Sequence, residues 1–221
     1  MGRLIEVCCT SLHDALEAEA GGASRIELCR DLGIGGVTPE PEVLQSVLAA
    51  VRIPVNVLVR PRGGDFVFSE EEVARMLSDI VSCREAGAAG IVIGALRPDG
   101  RIDIPVMQRL IAAARPLPVT FHRAFDVCAD PLEAFEEICR LGCERLLTSG
   151  HEADAFAGRF LIAELVGRAR DRISVMAGCG VRPRNIAALQ AATAAPEYHS
   201  SAHGPDGRTA REVVKSLVGT D

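Results

Sequence analysis

The sequence predicts an α/β fold: a parallel, eight-stranded (β/α)8 TIM barrel with a shortened C-terminal unit, in a single domain over residues 1–221. Three observations predict it. Short β-type runs alternate with longer helical stretches eight times along the chain, the pattern of a parallel sheet built from right-handed crossovers. Dividing 221 residues by eight leaves about 28 per unit, enough for a strand, a helix and two short connections. No linker, low-complexity tract or block of like charge divides the chain. A doubly wound open sheet is the alternative arrangement.

Each element has a local reason. Leu4–Cys9 reads as the first strand, and Leu12–Ala20 as a helix closed by Gly21-Gly22. Arg25–Cys29 is the second strand. Thr38-Pro39 is expected to open the next helix, as a cap residue followed by Pro at the first helical position. Val55–Val59 is a strand rich in β-branched residues. Ser69-Glu70-Glu71-Glu72 is a capping box whose helix runs to Ala86, before Gly87. Ala89–Gly94, Pro118–His122, Arg145–Thr148, Ile173–Ala177 and Glu197–Ser201 supply the remaining strands. Between and after them fall helices at Pro105–Arg115, Asp130 to near Gly142, Phe156–Arg170, Arg184–Ala192 and Thr209–Val218.

Composition narrows the function. The chain carries 24 basic and 30 acidic residues, a net charge of −6, which argues against a nucleic-acid or anionic-membrane partner. With no Trp and one Tyr, a stacking platform for single strands is not expected. No apolar run is long enough to span a bilayer, and the start resembles neither a signal peptide nor a myristoylation motif. The C-terminal residues Gly219-Thr220-Asp221 hold no prenylation motif. The expectation is therefore a cytoplasmic protein. Its eight cysteines form no Cys-x-x-Cys pair, so zinc-ribbon and thioredoxin readings fail. Most of them read as small buried apolar side chains.

Strand parity locates the chemistry. Alternate residues of a strand share a face, and buried parallel strands should be apolar on both. Here the rule breaks toward the C-terminal ends. Strands one and two repeat Ile-Glu-aliphatic-Cys, which turns Glu6 and Cys8, and Glu27 and Cys29, toward the barrel axis. Neighbouring strands are then expected to set Glu6 beside Glu27 and Cys8 beside Cys29. The same parity turns Asn56, Arg60, Thr120, His122, Glu197, His199 and Ser201 inward. Buried charges of this kind must pair, bind a ligand or hold water. Catalytic groups of such barrels sit on the C-terminal rim, where the following loops add Arg62, Asp65, Arg123, Asp126 and Ser149. Gly178 and Gly180 open a helix at the position where many barrels hold phosphate on backbone N–H groups.

These motifs resemble the CutC family. The resemblance rests on Glu6-Val7-Cys8, Arg25-Ile26-Glu27-Leu28-Cys29, Gly36-Val37-Thr38-Pro39, Arg60-Pro61-Arg62-Gly63-Gly64-Asp65-Phe66, His122-Arg123-Ala124-Phe125-Asp126, Leu147-Thr148-Ser149-Gly150 and His199-Ser200-Ser201-Ala202, in order across nearly the whole chain. It implies a cytoplasmic TIM barrel that self-associates as a homo-oligomer, a dimer or tetramer, with a role in copper handling. It also implies copper ligation by Cys at the ends of the first two strands, here Cys8 and Cys29. Two departures stand out. His151 and Cys179 fall where the family commonly has small residues, and the stretch after Ser201 is short.

Two functions from different classes follow. The first is a copper(I)-binding protein, in which the soft thiolates of Cys8 and Cys29 select the ion. The second is an enzyme acting on a small anionic carboxylate or phosphate metabolite. There Glu27 and His122 are the candidate acid–base groups, and Arg60 and Arg62 clamp the anion. Glu6, Asp65, Arg123, Asp126, Ser149, Gly178, Gly180, His199 and Ser201 would line the same site. For Arg123 and Asp126 the competing reading is a structural ion pair.

Overall fold

In the computed structural model, which describes residues 3–219, eight parallel strands close into a barrel in sequence order. The strands are β1 (Leu4–Cys9), β2 (Arg25–Leu28), β3 (Val55–Leu58), β4 (Gly90–Ile93), β5 (Val119–Phe121), β6 (Arg145–Thr148), β7 (Ser174–Ala177) and β8 (Glu197–Ser200). The helices are α1 (Leu12–Ala20), α2 (Pro41–Ala50), α3 (Glu70–Ala86), α4 (Ile104–Ala114), α5 (Pro131–Leu141), α6 (Arg159–Ala169), α7 (Pro183–Thr193) and α8 (Arg211–Val218). No helix among the described residues is long and apolar enough to cross a membrane. The terminal motif readings that involve Met1, Gly2, Thr220 and Asp221 lie outside the described residues.

Local chemistry sets the helix ends. Ser11, Ser69, Asp103 and Asp130 each accept a backbone N–H of the first turn, and Ser69 with Glu72 completes the expected capping box. One expectation fails. The second helix begins at Pro41, not at Thr38-Pro39. The Thr38 hydroxyl is engaged elsewhere: it accepts the Arg60 N–H and donates to the Arg60 carbonyl, tying the β2–α2 loop to the end of β3. The loop after β5 winds into a 3-10 turn over Arg123–Val127.

The register corrects a second expectation. Glu6 pairs with Arg25, and Cys8 pairs with Glu27, so Glu6 does not sit beside Glu27 nor Cys8 directly beside Cys29. A closed eight-stranded barrel advances its register by about one residue per strand, which stacks inward side chains in layers of four from alternate strands. The lowest layer is Arg25, Gly90, Arg145 and Glu197. Above it lie Glu6, Asn56, Thr120 and Met176, then Glu27, Val92, Leu147 and His199, then Cys8, Leu58, His122 and Gly178. Outward residues of the same strands, such as Ile5, Val7, Ile26 and Leu28, pack under the helices in the main apolar core.

The two lower layers are polar and fully knitted together. The Arg25 guanidinium donates to Glu6 and to Glu197, and Arg145 adds a contact to Glu197 at 3.3 Å. The second Glu197 oxygen accepts the Ser174 hydroxyl. Glu6 also accepts Asn56 Nδ2 at 3.0 Å and His199 Nδ1 at 2.9 Å. Gly90 is required here, because a Cβ would stand 2.5 Å from Asn56 Oδ1.

This network fixes a stability prediction. Burial opposes ionisation of Glu6, but His199 and Arg25 outweigh it and hold the carboxyl near 2, against an ordinary 4.5. A depressed folded-state value means that its contribution is whole above about pH 4.5 and drains as pH falls toward 2. Urea unfolding at stepped pH should show that loss in the native chain and not in Glu6→Gln. Arg25→Met at neutral pH should lower stability by about 3–5 kcal/mol, because it strands two buried carboxylates. A loss under about 1 kcal/mol would mean the network is dispensable.

Candidate functional site

Above the knitted layers, the C-terminal rim opens into a cavity of about 600 Å³. Its floor is Cys8, Glu27, Leu58, His122 and His199, delivered by the upper two layers. Loops supply the walls, among them Leu32, Ile34, Phe66, Val127, His151 and Arg182. The structure thus brings together nine of the residues expected from sequence: Cys8, Glu27, Arg60, His122, Arg123, Asp126, Gly180, His199 and Ser201. Six others lie off the cavity surface. Glu6 is beneath the floor, and Cys29 sits behind Cys8. Arg62 and Asp65 pair with each other, and Arg62 also binds Glu72. Ser149 is buried, its hydroxyl donating to the Glu152 carbonyl and its N–H to Asp126. Gly178 is squeezed inward, where a Cβ would stand 2.4 Å from Leu147.

The thiol end is formed by β1 and β2. Cys8 and Cys29 Sγ lie 3.5 Å apart, diagonally across the two strands, in a small apolar cluster with Leu58 and Val92. The Cys29 contact and burial push the Cys8 thiol well above its usual value of 9. Cys8 points its other side at Glu27 Oε1, 3.9 Å away. One donor atom each from Cys8, Glu27 and His199 lies within 4.8 Å of the others. Because His199 gives Nδ1 to Glu6, its Nε2 is the nitrogen left for a ligand, the arrangement in which a carboxylate orients a metal-binding imidazole.

The opposite end is formed by β3 and β5. The guanidinium of Arg60 stacks 4.6 Å over the Phe66 ring. Its terminal nitrogens donate to the carbonyls of Ile34, Gly36 and Gly64. His122 packs, tilted, against the same Phe66 ring at 5.0 Å between ring centres. Its Nδ1 accepts the Ala124 N–H, so the proton sits on Nε2. Burial, with the nearby Arg60 charge, pushes the imidazole down to about 3, so it is neutral at physiological pH. In this tautomer the Nε2 atom of His122 is a hydrogen-bond donor, arranged to give a proton and not to accept one.

Arg123 and Asp126 form an ion pair at 2.8 Å, and Asp126 is held further by Thr148, Ser149 and His151. That is the structural role weighed for them. Sequence reading missed Phe66, His151 and Arg182 as cavity residues. Arg182 precedes α7 and donates to both Ser200 and Ser201 hydroxyls. None of the three lies on a strand, so parity could not find them.

Buried polar atoms without partners are concentrated here. Among the described residues they are Glu27 Oε2, Arg60 Nε, Asp79 Oδ2, His122 Nε2 and Tyr198 Oη. Three of the five residues line this cavity. Since almost all buried polar groups in folded proteins are satisfied, the concentration makes this cavity the candidate ligand site.

Comparison with known proteins agrees with the fold and the motifs. The profile of the CutC family matches residues 3–204. A CutC family protein of Parabacteroides distasonis is 53% identical over 203 residues, covering 91% of this chain and 84% of that protein. A human protein named as a copper homeostasis protein CutC homolog is 49% identical over 201 residues, covering 91% and 74%. The crystal structure of a CutC from Streptococcus agalactiae superposes with a TM-score of 0.86 at 31% identity, covering 95% of this chain and all of that one. A phosphoribosylanthranilate isomerase from Pyrococcus furiosus, at 15% identity and a TM-score of 0.65 over 98% and 97%, shares the barrel.

Glu27 generates a prediction. Burial raises its carboxyl from 4.5 to about 7, the His199 charge opposing. A raised folded-state value favours the neutral form, so folding stability should fall as pH rises from 4.5 to about 7 and then level off. His199, its value raised above 6.5 by Glu27 and Glu6 against burial, adds a separate loss that begins only above pH 6.5, beyond most of the Glu27 window. In Glu27→Gln the slope over that window should flatten, and stability above pH 7 should exceed that of the native chain. An unchanged slope would show that Glu27 titrates normally.

Proposed function

Because the chain belongs to the CutC family, we propose that it serves copper homeostasis by holding a cuprous ion between Cys8 and Cys29. The observation that supports this reading is the 3.5 Å separation between the Cys8 thiol at the cavity floor and the Cys29 thiol behind it. Two sulfurs so placed can bind one ion, and soft thiolates favour Cu(I) over the harder divalent metals. The donor set fits. Cys8 faces the cavity, Cys29 backs it, and His199 Nε2 is oriented to be a third ligand. The apolar surroundings of Leu58 and Val92 exclude water from the sulfurs.

The proton balance follows. Ligation of Cu(I) by both thiolates releases two protons, one from Cys8 and one from Cys29, and the Cys8 thiol, held protonated at neutral pH, needs a nearby acceptor for its own. Glu27, 3.9 Å away and poised near 7, is the adjacent acceptor. Affinity for Cu(I) should therefore rise with pH. We expect a competition titration against a Cu(I)-selective chelator to give a steeper pH dependence in the native protein than in Cys8→Ser. The double variant Cys8→Ser/Cys29→Ser should lose at least about a hundredfold in affinity, with the ultraviolet thiolate-to-copper band gone. Native affinity in a folded double variant would refute the site. His199→Ala should cost less than the cysteines, roughly tenfold.

A further inference from the structure

A copper site at the thiols leaves the other end of the cavity unexplained. Arg60 is 4% exposed and His122 is 5% exposed. Among the described residues no carboxylate comes within 4.0 Å of the Arg60 guanidinium. Its terminal nitrogens are spent on three loop carbonyls, which are neutral. A buried guanidinium therefore has no carboxylate in contact, Asp65 acting on it only at longer range, and its Nε–H lacks an acceptor. His122 adds a second buried donor without an acceptor, Nε2–H. Both side chains touch the same Phe66 ring, so the two donors belong to one corner of the cavity.

What these donors lack is a negatively charged oxygen. The rest of the cavity defines the remainder of the ligand. Leu32, Ile34, Leu58, Val127 and Leu147 line it along with Phe66. Ile34 and Val127 are 54% and 62% exposed, apolar side chains left open to solvent at a cavity mouth. Carboxylates and guanidiniums both line the cavity, Glu27, Asp126 and Glu152 beside Arg123 and Arg182, so it is the apolar lining that favours a ligand with a hydrocarbon body over a bare oxyanion.

We propose that the cavity binds a small monocarboxylate with a short aliphatic or aromatic body, its carboxylate held by Arg60 Nε–H and His122 Nε2–H and its body lying against Phe66, Leu147, Ile34 and Val127. The anion supplies the contacting charge that Arg60 lacks and completes both orphaned donors. Binding is independent of the thiols, which occupy the β1–β2 side of the same floor. It therefore stands or falls separately from the copper reading.

Calorimetry with hexanoate, benzoate, acetate and inorganic phosphate tests the proposal. Hexanoate or benzoate should bind saturably and more tightly than acetate, which has no body, and than phosphate. His122→Leu and Arg60→Lys, which removes Nε–H but keeps the charge, should each weaken binding by roughly tenfold or more. In the native protein labelled with 15N-histidine, the His122 Nε2–H resonance should shift on adding the tight ligand; this reading holds even if a variant fails to fold. Cys8→Ser/Cys29→Ser should bind the carboxylate as the native protein does, and His122→Leu should retain Cu(I). No saturable binding, tighter binding of phosphate, an unchanged affinity in folded His122→Leu, or a resonance that stays in place would each overturn the assignment.

Discussion

The buried guanidinium of Arg25 is the interaction on which the rest of the barrel depends. It reaches two carboxylates from two other strands, Glu6 on β1 and Glu197 on β8, and so spans the seam where the last strand meets the first. Isolated, any one of these charges would cost more than the margin by which a domain this size is stable. Together, with Arg145, Ser174, Asn56 and His199, they are satisfied. The polar floor also reaches upward. By accepting Nδ1 of His199, Glu6 fixes which face of that imidazole is presented to the cavity one layer above.

The contrast between layers separates structure from function. Below, every charged group has its partners. Above, Glu27, Arg60 and His122 each keep an orphaned atom in a cavity large enough for a ligand. The same residue types appear in both places, and only the completeness of their hydrogen bonding distinguishes them. Within the cavity the chemistry then divides by strand. β1 and β2 provide soft sulfur, while β3 and β5 provide N–H donors. Cys8 and His122 stand in one layer on opposite sides of the barrel. A soft ion and a hard oxyanion can therefore be drawn to different sides of a single floor.

Much of this was legible in the sequence, because strand parity is a property of adjacent residues. It turned Glu6, Cys8, Glu27, Cys29, Arg60, His122 and His199 inward, and the structure has them inward. Register is different. It comes from the tilt of the closed sheet, and no residue spacing encodes it. Aligning the two Ile-Glu-aliphatic-Cys repeats placed like beside like, Glu6 with Glu27, which would have set two buried carboxylates together. The barrel instead slides β2 by two residues, so that Arg25 meets Glu6. Thr38 misled for a similar reason. Its sequence suits a helix cap, but its hydroxyl is taken by Arg60 from a neighbouring unit. Phe66, His151 and Arg182 come from loops, where no period marks the direction of a side chain.

The same slide decides what the two thiols can do. With Cys8 opposite Glu27, Cys29 lies one strand over and two residues further on. A strand spacing of about 4.8 Å and a rise of about 6.6 Å for two residues put the Cα atoms about 8 Å apart. That is beyond the span of about 7 Å that a disulfide can bridge without moving backbone; Cys8 is held in the barrel ladder, and Cys29 just past it by its N–H bond to the Cys9 carbonyl. The side chains lean together until the sulfurs are 3.5 Å apart, and covalent closure would require the strands to follow. Had Cys8 stood directly opposite Cys29, as the repeats suggest, the pair would be within disulfide range. The register that satisfies Arg25 thus also keeps two neighbouring thiols available as ligands, so the ion network at the floor and the sulfur chemistry at the rim have one geometric cause.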